Sequence, residues 1–205
     1  MLLRSRWSLK TLQAMQLIEE GQAQDPDVIF PDRIARPLLF SSNLMLVTAV
    51  IAATRSVWPL CASATAVWVT SLLHWSAPRF SSWRRYLDYA AVASMVVVGS
   101  WTSVTEARSV GWTLTYFGGL ALIGAIFVVN ETLYYFQLQR TPVGGHMSAS
   151  HDTPTTGVLA CLAPTEPGTA ARLWSYRRAM WVHLLCVHVL AAALANSLLL
   201  FGLQP

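Results

Sequence analysis

The stretch "TSLLHWSAPRFSSWRRYLDYAAV", residues 70–92, decides how this chain folds. It joins two apolar runs through a short link that carries Arg79, Arg84 and Arg85, with His74 closing the first run and Asp88 opening the second. Arginines resist hydrocarbon, so an apolar run, a basic link and a second apolar run read as two membrane helices meeting at a polar face. Working outward, three further runs reach the roughly 17–20 mainly apolar residues needed to cross a core about 30 Å thick. The five expected spans cover residues 37–54, 58–75, 87–104, 110–134 and 180–203. Trp58 and Trp75 bracket the second, and Trp83 and Trp101 lie near the ends of the third, as aromatic belts do. The expected fold is therefore all-α, a polytopic bundle of about five transmembrane helices.

Composition agrees. Of 205 residues, 54% are hydrophobic and 12% charged, where soluble domains carry about 25% charged residues. The net charge of +4 is dispersed over span ends with no nucleic-acid motif, which excludes a nucleic-acid partner as its reason. Cys61, Cys161 and Cys186 form no CxxC pair, so neither a disulfide framework nor a thiolate zinc site follows.

Charge also tests the span count. With five spans, Arg4, Arg6, Lys10, Arg33, Arg36, Arg79, Arg84, Arg85, Arg140, Arg172, Arg177 and Arg178 fall on one side, and Arg55 and Arg108 on the other. The crowded side is expected to be cytoplasmic, or the matrix of a mitochondrion, with the N-terminus inside. Residues 1–36 form a basic amphipathic segment, open to two readings: a mitochondrial presequence or a helix lying on the inner face. Residues 37–140 hold four spans, residues 141–174 an exposed Pro/Gly/Thr-rich loop, and residues 175–205 the fifth span. The loop histidines His146 and His151 are read as solvated.

That topology brings polar groups to one depth. His74 ends the second span, Asp88 opens the third, Asn130 and Glu131 close the fourth, His183 and His188 lie in the fifth, and Ser41, Ser42 and Asn43 sit in the first. Ionisable groups inside a membrane are costly and mark a functional interior, a cofactor or a partner. Ser71 and His74, three apart, share a helix face. His74, His183 or His188, and Asp88 are donors of the type that hold a divalent metal. Against this stands the plainer reading of interfacial residues, with Asp88 paired to Arg84 or Arg85. The separation of five between His183 and His188 turns the second ring about 140° away on a regular helix. Only a π-bulge brings both onto one face.

The pattern of Ser71 and His74, then Leu87, Asp88 and Tyr89, then Gly99 and Ser100, resembles the CREST superfamily of membrane hydrolases, which includes adiponectin receptors and alkaline ceramidases. The resemblance covers residues 67–103 and 180–198. It implies zinc, with His74 and His183 or His188 as ligands, Asp88 holding the zinc-bound water and Ser71 bonding the oxyanion or that water. The chain departs from the pattern in two ways: His183 lies one residue out of register, and five spans stand where the family has seven. The implied activity is hydrolysis of a lipid amide or ester at the inner leaflet. The other reading is a noncatalytic accessory subunit of a larger membrane assembly, in the mitochondrial inner membrane, an endomembrane or the plasma membrane. A transporter fits less well, because few polar groups lie in the outer half of the spans.

Overall fold

The computed structural model describes residues 27–140 and 167–204, with side chains from 27 to 134 and from 174 to 204. The presequence or inner-face reading of the N-terminal segment, and the residues Arg4, Arg6, Lys10, His146, His151 and Cys161, lie outside the described residues. Every regular element among the described residues is helical. The order is α1 (Asp32–Ser41), α2 (Asn43–Thr54), α3 (Trp58–Trp75), α4 (Trp83–Glu106), α5 (Val110–Arg140) and α6 (Pro167–His183). The last helix continues as π1 (Leu184–Leu190), α7 (Ala191–Ser197) and π2 (Leu198–Gly202). α6 starts inside the stretch read as loop: a proline suits the first turn, where its missing N–H costs nothing.

α1 and α2 are one rod of 23 residues with a break at Ser42. Pro37 removes a backbone donor inside it, and the Ser41 and Ser42 hydroxyls both donate to the Leu38 carbonyl, at 3.0 and 2.9 Å. Such back-bonding loosens the helical ladder and bends it. α3 buries Leu60, Ser63, Ala64, Val67, Ser71, His74 and Trp75, a stripe at three- and four-residue spacing.

Four helices are long and apolar enough to cross a membrane: Asp32–Thr54, Trp83–Glu106, Val110–Tyr134 and Trp174–Gly202. This is the architecture of a multi-pass membrane protein. The sequence reading expected a fifth at residues 58–75. That segment is the 18-residue helix α3, but Ser63, Thr65, Thr70, Ser71 and His74 dilute its apolar character. The physical reason is position, since α3 packs between α2 and α4 and turns its polar stripe into the bundle.

Both ends of the bundle are tied. At one end an antiparallel bridge pairs Ala107 with Leu203, Arg108 N–H donates to the Gly202 carbonyl at 2.6 Å and Gln204 N–H to the Glu106 carbonyl at 3.0 Å. At the other, Asp27–Phe30 forms a strap along the α3–α4 link. Ile29 N–H donates to the Pro78 carbonyl at 3.0 Å, and Phe80 N–H to that of Asp27 at 2.8 Å. Gly99 lets α5 approach α4 closely, because a Cβ there would overlap the Tyr116 hydroxyl.

Candidate functional site

The strapped end holds the polar groups singled out from the sequence, in two clusters. The first joins α3 to α4. Ser71 Oγ donates to Asp88 Oδ1 at 2.6 Å, and Thr70 Oγ1 lies 3.1 Å from the same oxygen. The expected alternative, a pair between Asp88 and Arg84 or Arg85, is not formed: Arg84 reaches the Leu73 carbonyl and Ser76, and Arg85 Nε donates to the Tyr89 hydroxyl at 3.0 Å. Asp88 is therefore a carboxylate buried at 7% exposure and held by hydroxyls, of which Thr70 was missed by the sequence reading.

The second cluster lies around Trp75. Its ring centroid is 4.5 Å from that of His74, 5.1 Å from that of His183 and 6.2 Å from that of His188. The separation of five between the last two is resolved by π1, which opens immediately after His183 and contains His188. With one more residue per turn, the two rings share a face at 5.4 Å. His188 Nδ1 is hydrogen-bonded to Ser41 Oγ at 2.8 Å. The Ser41 hydroxyl also lies 3.0 Å from the Leu38 carbonyl, so it tethers the imidazole of the last helix to the first. A hydrogen bond to one ring nitrogen is how a neighbouring group orients an imidazole to act as a ligand or base through the other. Asn130 serves the backbone instead, donating to the Ala179 carbonyl at 3.3 Å.

Trp75 corrects the sequence reading. Expected at the interface as a belt residue, it is 6% exposed, because Phe30 of the strap stacks on it at 6.0 Å. Tyr134 and Tyr176 close around Phe30 at 5.6 and 6.2 Å, and the Tyr134 hydroxyl donates to the Ile29 carbonyl. The result is an aromatic plug between the histidines and the strapped end, with Ile34, Ala35, Leu38 and Met180 behind it. Only residues far apart in sequence build it, which is why no local pattern announced it.

Among the described residues two buried atoms of consecutive side chains, His74 Nδ1 and Trp75 Nε1, have no hydrogen-bond partner. An unmet buried polar group costs about 1–3 kcal/mol, so a ligand bearing a matching oxygen is favoured there. The donor types are those that the resemblance implies for zinc; among the described residues no group of three or more His, Cys, Asp or Glu side chains is gathered for a metal ion. No hydrogen bond joins Asp88 to any of the three histidines among the described residues. Comparison with known families, with curated proteins and with solved structures returned no match, so the functional reading rests on these residues.

Proposed function

We propose that this chain is a five-span membrane protein whose arginine-rich end faces the cytoplasm or matrix, and that the histidine cluster at that end hydrolyses a lipid amide or ester. The observation that carries the reading is π1, which sets His183 and His188 side by side next to His74. A π-bulge is energetically inferior to α-helix and is found preferentially at functional sites. In this reading Trp75 Nε1–H takes the lipid carbonyl oxygen, the plug keeps bulk water from it, and Ser71 and Thr70 fix the carboxylate of Asp88. Zinc, held by His74 and His183 or His188, would supply a water of lowered pKa.

A second reading, a noncatalytic subunit of a larger membrane assembly, is favoured by α5. That helix is the least buried of the four membrane-length helices, and Gly118 and Gly124 meet nothing there, leaving small residues for close approach of another helix.

The test is elemental analysis and hydrolysis of a fluorescent ceramide and a fluorescent lipid ester by the wild type, His74→Ala and Asp88→Asn in detergent. Near-stoichiometric zinc in the wild type, lost in His74→Ala, with hydrolysis reduced about 10–100-fold or more in both variants, is the expected result. No metal and no hydrolysis in the wild type, together with copurifying membrane proteins, sinks the hydrolase reading and favours the subunit.

A further inference from the structure

A cavity of about 360 Å³ opens at the end of the bundle opposite the histidines, within the range of roughly 300–1,000 Å³ typical of ligand sites. Arg55, Ser56 and Pro59 line it from the α2–α3 turn, and Val97, Trp101 and Glu106 from α4. The turn is strained: Ser56 has φ 59°, a left-handed conformation that non-glycine residues rarely adopt and that clusters at ligand sites. Arg55 is anchored by donating to the Leu200 carbonyl at 2.6 Å. Among the described residues Arg55 and Glu106 form no ion pair with each other, so one cavity presents a cation and a carboxylate that do not neutralise one another.

We propose that this cavity binds a zwitterionic phospholipid, its phosphate on Arg55 and its ammonium on Glu106. The charges set the headgroup class. A free phosphate or an anionic lipid gains from Arg55 but is repelled by Glu106, and an uncharged lipid gains from neither. The wall identifies a lipid rather than a soluble headgroup. Val97 and Trp101 are 68% and 71% exposed on the outer face of a membrane-length helix, where acyl chains run from the cavity into the bilayer. Trp101 stands at the interfacial depth that tryptophan prefers. The site is independent of the histidine cluster.

Native mass spectrometry on the full chain in detergent tests this, with phosphatidylcholine, phosphatidylglycerol and glycerophosphocholine as probes and Arg55→Gln and Glu106→Gln as variants. The wild type is expected to retain one phosphatidylcholine and to bind phosphatidylglycerol and glycerophosphocholine at least tenfold more weakly. Glu106→Gln should reverse the preference between the two lipids, and Arg55→Gln should weaken both. Because Arg55 also ties the turn to Leu200, a misfolded Arg55→Gln leaves the reversal in Glu106→Gln as the deciding observation. Equal retention of both lipids by the wild type overturns the proposal, as does a preference unchanged in Glu106→Gln. Glycerophosphocholine binding as tightly as the lipid would make the ligand a soluble headgroup and overturn it as well.

Discussion

Asp27 pins the strap through its side chain. Ser81 donates to it twice, from its backbone N–H at 2.9 Å and its hydroxyl at 2.8 Å, and Arg79 lies 3.7 Å away. The Ser81 hydroxyl, then its N–H, and then the arginine charge hold the carboxyl below its ordinary value of 3.8. Because the folded state favours the carboxylate, its contribution is complete above that ordinary value and is lost as pH falls through the lower, folded one. Hydrogen exchange at the Ile29 amide, corrected for intrinsic rate, should therefore show protection at pH 6 that fades by a few-fold toward pH 3. Asp27→Asn should lack that protection at both pH values. Protection independent of pH in the wild type would show that the carboxylate does not hold the strap. At this scale the sequence was readable where partners are near in the chain, as for Ser71, His74 and Asp88 on adjoining helices. Trp75 was not, because the residue that buries it, Phe30, comes from 45 positions upstream.

Helices were the most legible elements, since long apolar runs between arginines have few other solutions in a membrane. The stretch π1 was not, because it follows from how the last rod packs, and the break at Ser42, although Pro37 and two serines cause it, was not read from them. The spacing of His183 and His188 did state the requirement: two rings five apart on one side need a widened turn. If that is what π1 accomplishes, deleting Cys186 should convert it to regular α-helix, place the histidines four apart and still leave both on one side. The downstream register of α7 is kept. Deleting Ala193 instead rotates the residues from there to the start of π2, among them the buried Ala195 and Leu198, by about 100°. The expected outcome is a Cys186 deletion that elutes as a monodisperse species with thermal stability near the wild type, and an Ala193 deletion that aggregates. Equal damage from both would mean that π1 is a packing accident and not an inserted residue.

The whole molecule is polarised by charge. Arg33, Arg36, Arg79, Arg84, Arg85, Arg177 and Arg178 belong to segments gathered at the strapped end, and Arg55 and Arg108 to the end stitched by Ala107 and Leu203. Aromatic residues mark both borders: Trp83 and Trp101 are exposed on α4, about 27 Å apart along a helix rising 1.5 Å per residue, close to the thickness of a hydrocarbon core. The sequence made this polarity legible because it depends on counting, not on contacts. The pocket between Arg55 and Glu106 was not, since two single charges 51 positions apart carry no pattern. Orientation is open to a direct check with Ser56→Cys and Ser82→Cys on a background without the native cysteines, using a membrane-impermeant maleimide. Ser82→Cys should label only from the cytoplasmic or matrix face and Ser56→Cys only from the other. Labelling of both from one face would remove α3 as a crossing helix.

The contact between Ser41 and His188 joins the first rod to the last across 147 positions of chain. At a synthesis rate of about 5–20 residues per second, the ribosome needs roughly 7–30 s to travel from one to the other. For about the last two-thirds of that interval, once Asp88 has been made, the nascent chain carries His74, Ser71 and Asp88 but not the two later imidazoles. An abandoned, truncated chain stays in that state for good. The histidine cluster is thus completed only once the last helix has been made, and until then Trp75 lacks the two imidazoles that pack against it.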